Sequence, residues 1–442
     1  MMQRILSRRA LLKFIGHAPL LLALPPTFGK PSPAAREWSV TGHAVPELAG
    51  FDQTIQQYMQ ERSISGASLA ITKNSKLVFA RGYTWRDNPD DLLVEPTSLF
   101  RLASLTKTLT ATAIMQLVER QQLDLSAGVT ELLPLRPPAG QTADPRLEQI
   151  TVRRLLQHLG GWDRDATFDP MVRRDPVISE ALDVPLPITR QHITTYMTGQ
   201  PLQIDPGTEF KYSNYGFCLL GQIIESLSGQ SYEHFITQNI LAPLNISRVR
   251  QGRTRLSERL PNEVRYHTQY VVPTVMDESG DLVPGGYGLF NLENMDSHGG
   301  MVGSAVDLVK FATAFDNLAD SPLLNQSSIE TMFGLPENIA PENYTPGEIY
   351  YGSGWNARDW RDGRRYTWHT GSLPGNRAYL IRRADGINWC VLFNQNDDPS
   401  GLPYGPIDAQ LHAAADAVST WPTDDLFPEY LPNRVYLPQI GG

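Results

Sequence analysis

Apolar segments patterned like strands occur near both ends of this chain, and helical periodicity dominates its middle. Near the amino-terminal end, Leu48–Gln60 has the spacing of a helix, while Ala67–Thr72 and Leu77–Tyr83 are apolar segments on either side of the turn Lys73-Asn74-Ser75-Lys76. That arrangement predicts a β-hairpin. Towards the other end, the same reasoning predicts three strands and a closing helix: Arg365–Trp368, Arg377–Ile381, Ile387–Phe393 and Ile407–Val418.

The chain from about 123 to 272 is rich in proline and predicts helices, at Val152–His158, Ile188–Met197, Phe217–Leu227 and Glu233–Ile240. Strands at both ends with helices between them indicate an α/β (α+β) fold, in which an antiparallel sheet is flanked by helices and carries a large helical insertion. We divide one domain, 36–442, into an α/β part at 45–122 and 285–420, a mostly helical part at 123–284, and an irregular tail at 421–442.

The stretch Ser104-Leu105-Thr106-Lys107 places a hydroxyl and an amine three residues apart, where one face of a helix brings them together. A serine hydroxyl becomes a good nucleophile when a neighbouring base takes its proton. A lysine serves as that base if burial or nearby positive charge lowers its pKa from about 10.4. The same spacing is common on solvated helix faces. From Leu99 to Leu117, however, the only formal charges are Arg101 and Lys107, and a lone lysine in so apolar a helix needs a partner or a function.

Tyr212-Ser213-Asn214 stands on a predicted loop that enters a helix, after the turn sequence Asp205-Pro206-Gly207-Thr208. A tyrosine can relay a proton when neighbouring ammonium groups lower its pKa, and an asparagine can bind a substrate amide as both donor and acceptor. Taken alone, a turn with a capping asparagine explains this tripeptide better.

His369-Thr370-Gly371 follows the predicted short strand and precedes Ser372-Leu373-Pro374-Gly375-Asn376. A glycine in a strand often marks the close approach of another backbone or of a ligand. The chain here could lie beside a substrate and donate a backbone N–H to a developing oxyanion. Taken alone, the tripeptide is better explained as a surface histidine in a hairpin.

In their order and approximate spacing, the three motifs resemble the serine β-lactamase and penicillin-binding-protein superfamily, specifically its class C β-lactamase-related branch. That branch also contains esterases, D-amino-acid peptidases and D-alanyl carboxypeptidases. Three further segments look similar: Ile150–His158, Gly299–Leu308 and Tyr351–Trp355. The resemblance covers about 48 to 418 and implies a β-lactamase/transpeptidase-like fold, with the site where the sheet meets the helical part.

The resemblance also implies a role for each motif residue. Ser104 would be the acylated nucleophile and Lys107 the group that takes its proton. Tyr212 resembles a second general base and proton shuttle, and Asn214 resembles the side chain that holds the acyl amide of the substrate. The remaining substrate-binding residues lie together: His369, Thr370, Gly371 and Ser372. The backbone N–H groups of Ser104 and Ser372 would form the oxyanion hole, which typically contributes about two powers of ten or more in rate.

His369 departs from the class C pattern, which carries lysine at this position. A permanent ammonium pairs well with the carboxylate of a β-lactam or of a peptide C-terminus, whereas a histidine with a pKa near 6.5 is mostly neutral at pH 7. We therefore expect esters, or amides without a required carboxylate, as substrates, and weak or absent β-lactamase activity.

The first thirty residues have the architecture of a secretory signal. A basic start precedes the apolar run Pro19–Leu24, and Ser7–Lys13 resembles a twin-arginine export motif. The run is shorter than the roughly 20 residues that span a bilayer, and no cysteine follows it, so we expect no stable membrane anchor. We assign 1–34 as a twin-arginine-type signal peptide, with a short amphipathic anchor as the alternative, and expect a periplasmic or secreted bacterial protein.

Composition and residue spacing argue against a nucleic-acid partner and against a metal or other cofactor. The net charge is −9, and removing the five cations of residues 1–30 takes it to −14, which argues against nucleic acid. The histidines and the two cysteines lack metal-ligand spacing, so we expect neither metal nor other cofactor. Cys218 and Cys390 lie in apolar surroundings, where buried free thiols are at least as plausible as a disulfide.

Three hypotheses follow from the sequence. The first is an exported serine hydrolase acting on a small-molecule or peptide ester or amide. The second keeps the fold but assigns D-alanyl-D-alanine carboxypeptidase, penicillin-binding or β-lactamase activity. The third is a non-catalytic binding or sensor module. Two segments, Thr167–Asp183 and Tyr266–Phe290, either border the cleft with aromatics such as Tyr270, Tyr287 and Phe290, or pack as surface loops. The oligomeric state does not follow from the sequence.

Overall fold

The computed structural model describes residues 37–86, 92–397 and 400–431. The predicted signal peptide, 1–34, lies outside these residues, as do the last eleven residues of the predicted tail. Within the described part of the chain, no helix is both long enough and apolar enough to cross a membrane.

An eight-stranded, fully antiparallel sheet forms the centre of the fold, in the order β1-β3-β2-β13-β12-β11-β10-β9. Its strands come from the two ends of the described chain, as the hydrophobic pattern predicts. Two small sheets, β4-β8-β5 and the ribbon β6-β7, lie outside it. The strand bounds are β1 Glu37–Thr41, β2 Gly66–Lys73, β3 Lys76–Arg86, β4 Phe100–Arg101, β5 Arg250–Gln251, β6 Val271–Pro273, β7 Leu282–Pro284, β8 Met301–Gly303, β9 Tyr350–Tyr351, β10 Asn356–Asp359, β11 Arg365–Leu373, β12 Asn376–Arg382 and β13 Ile387–Phe393.

Helices cover both faces of the sheet. One hydrophobic core lies between the sheet and the pair α1 and α11, and a second, larger core lies between the opposite face and the helical part of the chain. The helices are α1 Ala49–Glu61, α2 Thr106–Glu119, α3 Val129–Leu132, α4 Val152–Leu156, α5 Asp175–Leu182, α6 Arg190–Thr198, α7 Asn214–Ser228, α8 Tyr232–Ile236, α9 Ala305–Thr313, α10 Gln326–Phe333, α11 Ile407–Asp416 and α12 Phe427–Tyr430. The predicted α/β fold with an antiparallel sheet and a helical part is confirmed.

Helix α2 is the central helix of the larger core. All twelve residues from Thr106 to Leu117 are buried, including Lys107. Three of its four threonine hydroxyls, those of Thr108, Thr110 and Thr112, donate to backbone carbonyls; that of Thr108, for example, donates to the Leu105 carbonyl at 2.8 Å. A helix buried on every side holds its side chains in fixed positions, which suits the amino end that carries Ser104.

Two local predictions differ from the structure, and the pairing of the two cysteines, which the sequence left open, is decided. The strand predicted at Arg365–Trp368 continues to Leu373, because β11 pairs with β12 along its whole length. The tail predicted as irregular contains the one-turn helix α12, which begins beside Pro428, a residue favoured in a first helical turn. The possible disulfide between Cys218 and Cys390 is absent, since both thiols are free and buried in α7 and β13.

Candidate active site

Ser104 lies in a tight 3₁₀ turn, Ala103–Leu105, that leads directly into α2. Ala103 has a φ of +48°, a left-handed conformation that costs a residue other than glycine roughly 1–2 kcal/mol. This strained turn packs against β11. The sharp change of direction presents the Ser104 side chain to the cleft while its neighbours Ala103 and Leu105 are buried.

The Lys107 amine lies 3.1 Å from the Ser104 hydroxyl. Its nitrogen is also 2.8 Å from the Asn214 side-chain oxygen and 2.8 Å from the His298 carbonyl oxygen. Burial holds the pKa of Lys107 well below its usual value, and this effect outweighs the opposing influence of Asp169. A neutral amine has two N–H donors, and the two oxygen acceptors use both of them. The lone pair is then left to accept the Ser104 proton.

Tyr212 lies on the loop before α7 and lines the same cleft as Ser104, whose hydroxyl acts to lower the pKa of the phenol. The Lys107 nitrogen lies 4.8 Å from the centre of its ring, and the Arg164 guanidinium lies 4.7 Å from it. Contrary to the expectation from nearby ammonium groups, the pKa of Tyr212 is raised, because desolvation outweighs the opposing influence of the Ser104 hydroxyl and of the Arg164 charge. The phenol is therefore protonated at neutral pH and is a proton donor in the resting site.

Asn214 is the first residue of α7, which is capped by Ser213 accepting the Gly216 N–H at 3.1 Å. Its side-chain amide is engaged at both ends. The oxygen faces Lys107, and the nitrogen donates to a carboxylate oxygen of Asp169 at 2.6 Å. Because a carboxylate only accepts hydrogen bonds, Asp169 fixes the orientation of this amide.

Asp169, Arg164 and His158 belong to the site but do not stand out in the sequence. Asp169 also pairs with Arg164 at 3.5 Å, at the wall of the cleft. His158, with a φ of +58°, is buried against the Tyr212 ring at 4.2 Å and accepts the Ser213 N–H at 3.1 Å. The only signals were general ones, namely the segment Thr167–Asp183 beside the cleft and the family-like run that ends at His158.

His369 is buried within β11 and is not the surface hairpin histidine that the tripeptide alone suggests. Its Nδ1 lies 2.8 Å from the Thr370 carbonyl oxygen and its Nε2 lies 3.0 Å from the Tyr351 hydroxyl. The first contact requires a proton on Nδ1, so Nε2 accepts from the tyrosine. Burial lowers the pKa of His369 to about 3, and the ring is neutral at pH 7.

Gly371 lets β11 approach the turn that carries Ser104. A Cβ atom at this position would overlap the Leu102 carbonyl oxygen and lie 3.0 Å from the Ala103 Cβ. The two-residue loop makes Leu373 and Asn376 a hydrogen-bonded pair of β11 and β12. Going back along β11 from Leu373, non-hydrogen-bonded and hydrogen-bonded pairs then alternate, so Ser372 and Thr370 belong to non-hydrogen-bonded pairs. The backbone N–H groups of Thr370 and Ser372 consequently point away from β12, towards the turn.

Residues of all three motifs line one cleft of about 400 Å³. Ser104 lies in it with Tyr212 and Asn214 on one side and the Thr370–Pro374 strand on the other. Of the three aromatics singled out in Tyr266–Phe290, Phe290 lines the cleft, Tyr287 is buried against Arg101, and Tyr270 is exposed. Other lining residues are Arg164, Asp169, Val172, Phe210, Tyr351, Asn356 and Arg377. Across the described ranges, no cluster of three or more His, Cys, Asp or Glu could hold a metal ion.

Comparison with known proteins agrees with this geometry. The beta-lactamase family model matches residues 51–414. Protein flp of Staphylococcus aureus (strain COL) is 29% identical over 351 residues, covering 79% of this chain and 63% of that protein. A putative fimbrial assembly protein FimD, serogroup D, of Dichelobacter nodosus is 31% identical over 307 residues, covering 67% of this chain and 65% of that protein. The chain thus spans less than two thirds of the length of these relatives.

Solved structures with the same fold include a homologue of penicillin-binding proteins. The octameric homologue from Pyrococcus abyssi superposes with a TM-score of 0.61 at 27% identity, covering 87% of this chain and 80% of that one. The D-amino acid amidase of Ochrobactrum anthropi SV3 superposes with a TM-score of 0.63 at 23% identity, covering 85% and 99%. The chain belongs to the beta-lactamase family and has the β-lactamase/transpeptidase-like fold.

Proposed function

We propose that the protein is an exported serine hydrolase that forms an acyl-enzyme on Ser104 from an ester or amide. The observation that carries this proposal is the buried Lys107 amine, whose two N–H donors have acceptors and whose lone pair faces the hydroxyl 3.1 Å away. The twin-arginine-like segment Ser7–Lys13 supports export to the periplasm or the outside of the cell.

In the proposed mechanism, Lys107 takes the proton of Ser104 as the serine oxygen attacks the substrate carbonyl. The backbone N–H groups of Ser104 and Ser372 bind the oxyanion that develops. Tyr212 donates its proton to the leaving group and is reprotonated by the Lys107 ammonium, which returns to the neutral amine. Water then attacks the acyl-enzyme while Lys107 removes its proton, and Lys107 passes that proton to the departing Ser104 oxygen, which regenerates the hydroxyl.

The charge at the strand side of the cleft supports esters or uncharged amides as substrates. The neutral His369 supplies no ammonium for a carboxylate, and its Nε2 is taken by Tyr351. On a substrate panel we expect turnover of short-chain p-nitrophenyl esters and little or no turnover of nitrocefin. Rapid nitrocefin hydrolysis would contradict this choice of substrate.

A second candidate function, cleavage of D-amino-acid peptides, is favoured by two guanidinium groups. Arg164 and Arg377 both line the cleft. The Arg377 Nε donates to the Tyr379 hydroxyl at 2.9 Å, which leaves its terminal nitrogens for a carboxylate. Under this alternative, a D-Ala-D-Ala peptide would be cleaved faster than the esters, and Arg377→Gln would raise KM for the peptide alone.

Labelling with a fluorophosphonate probe tests the mechanism. The mature protein should be labelled and Ser104→Ala should not, with hydrolysis reduced by roughly 10⁴-fold or more. Lys107→Ala should lower both labelling and turnover severely, because the hydroxyl loses its base. Lys73→Ala is the matched control, since Lys73 is a surface lysine of β2 that donates to the Asp385 carbonyl. Equal labelling of wild type and Ser104→Ala would refute the proposal.

A further inference from the structure

One face of the β6–β7 ribbon is apolar and exposed. In the register of the ribbon, Val271 is opposite Pro284 and Pro273 is opposite Leu282, so these four side chains share a face. All four are exposed, whereas Val272 on the other face is buried. Leu282, Val271 and the adjoining Tyr270 are the three most exposed large apolar side chains of the described residues, at 69%, 63% and 61%. We call these five residues the ribbon face.

The ribbon is attached to the strand side of the catalytic cleft. The Tyr270 carbonyl accepts the Gly285 N–H at 2.8 Å. A Cβ atom at Gly286 would lie 2.8 Å from the carbonyl oxygen of Pro374, which lines the cleft. The carbonyl of Gly286 in turn accepts a hydrogen bond from the buried guanidinium of Arg101.

Arg101 connects the ribbon to the nucleophile. It precedes Ser104 by three residues, and its guanidinium lies over the rings of Tyr266 and Tyr287, at 4.5 Å and 5.3 Å. It also donates to the Arg253 carbonyl at 2.9 Å. Because this arginine is buried and held from several sides, the ribbon has a fixed position relative to the reacting serine.

Size and charge decide between three possible occupants of the ribbon face. A stable protein interface uses about 20–30 residues a side, far more than these five. An anionic membrane would be repelled by Asp277, Glu278 and Asp281, which stand in the turn of the same ribbon, and by the net charge of the chain. A flexible hydrocarbon chain needs only a small apolar surface next to the cleft, which is what the ribbon supplies.

We propose that the ribbon face binds the apolar chain of the substrate, so that the protein prefers esters or amides with medium-length alkyl chains. This inference rests on the proposed function, because the chain must belong to a molecule whose carbonyl reaches Ser104. A patch on the rim adds affinity for chains long enough to reach it and none for short ones. The preference should therefore begin only beyond a threshold length.

Chain-length profiles test the proposal. One series holds p-nitrophenol constant and varies the acyl chain from acetate to decanoate, and the other holds a butyryl group constant and varies the alcohol chain, all at concentrations where the esters are monomeric. In one of the two series, kcat/KM of the wild type should rise beyond a threshold length. The double variant Val271→Thr/Leu282→Gln should lose about tenfold or more at the longest chain and keep the shortest-chain rate within about twofold.

Ile349→Thr is the matched control, because Ile349 is 54% exposed at the end of β9 that lies towards Asp359, away from the Ser372 end of β11. It should leave both profiles unchanged. The ribbon proposal is overturned if the double variant keeps the wild-type profiles, or if it loses rate equally at every length. It is also overturned if light scattering shows that the double variant only converts an oligomer into a monomer. Failure of the proposed function would instead appear as no turnover of even the shortest ester.

Discussion

At the residue scale, the proposed chemistry depends on a lysine that is made neutral by its surroundings. Two charged groups act on Lys107 in opposite directions: Asp169 favours the ammonium form and Arg164 opposes it. The other groups that face the amine are uncharged at neutral pH, namely Ser104, Tyr212, Asn214, His158, His298 and His369. The ion pair at the cleft wall is therefore expected to tune the base from a distance.

This arrangement predicts opposite pH shifts for two substitutions. Lys107 must lose its proton to act, so the acidic limb of kcat/KM follows its pKa. Asp169→Asn removes a charge that raises this pKa, and the limb should move to lower pH. Arg164→Gln removes a charge that lowers the pKa, and the limb should move to higher pH. The measurement is a pH–rate profile with a neutral ester.

Asp165→Asn provides the control for this prediction. The Asp165 side chain is 91% exposed and lies beside the same arginine, at 3.9 Å, so water screens its charge. Its profile should match that of the wild type. A shift of the limb in the same direction for Asp169→Asn and Arg164→Gln would contradict the electrostatic explanation and would indicate a general disturbance of the cleft.

At the element scale, the site depends on the contact between β11 and the turn before α2. Gly371 makes that contact possible, because any larger side chain meets Leu102 and Ala103. The strand brings the Ser372 N–H to the edge that faces Ser104, and the turn brings the hydroxyl. Neither element forms the pocket without the other.

Gly371→Ala should therefore reduce activity more than stability. The added methyl group displaces β11 from the turn, and a displacement of about 1 Å can reduce the rate on the order of 100-fold. We expect such a fall in kcat, measured with a short-chain ester, with a much smaller change in the thermal midpoint. Gly405→Ala is the control, since a Cβ there has no neighbour within 4 Å and its φ is not left-handed. An unchanged kcat in Gly371→Ala would show that the contact is not needed.

At the scale of the whole molecule, the two hydrophobic cores share one sheet. Trp389 is buried in the core beside α1 and α11, and Trp355 is buried in the larger core among Phe311, Phe315 and Phe333. Trp389 lies in β13 and Trp355 directly precedes β10, and both strands belong to the same eight-stranded sheet. A sheet that is covered on both faces loses its support if either core is lost.

Trp389→Ala and Trp355→Ala should each destabilise the protein by about 3–5 kcal/mol, the usual cost of removing a buried tryptophan. Because the sheet couples the cores, each variant should still unfold in one transition. Denaturant titrations followed by fluorescence and by circular dichroism provide the measurement, and the two curves should coincide. Two separate transitions in either variant would show that the cores unfold independently.

Local patterns in the sequence were sufficient to predict several of the elements and to identify the motif residues. Period and turn residues predicted the β2–β3 hairpin, strand β13 and helices α1 and α7 close to their observed bounds. The spacing of Ser104 and Lys107 predicted their contact, because three residues along a helix determine the relative position of two side chains. These features depend on neighbours in the chain, and so they can be inferred without the fold.

Long-range packing decided the remaining properties of the site. Asp169 lies 45 residues before Asn214, and no local rule pairs them. Burial, which only the folded chain has, lowered the pKa of His369 to about 3 and raised the pKa of Tyr212 where the motif suggested a lowered one. The direction of the Ser372 N–H follows from strand register. Charge state and donor direction depend on which groups surround an atom in space, and the order of residues along the chain does not contain that information directly.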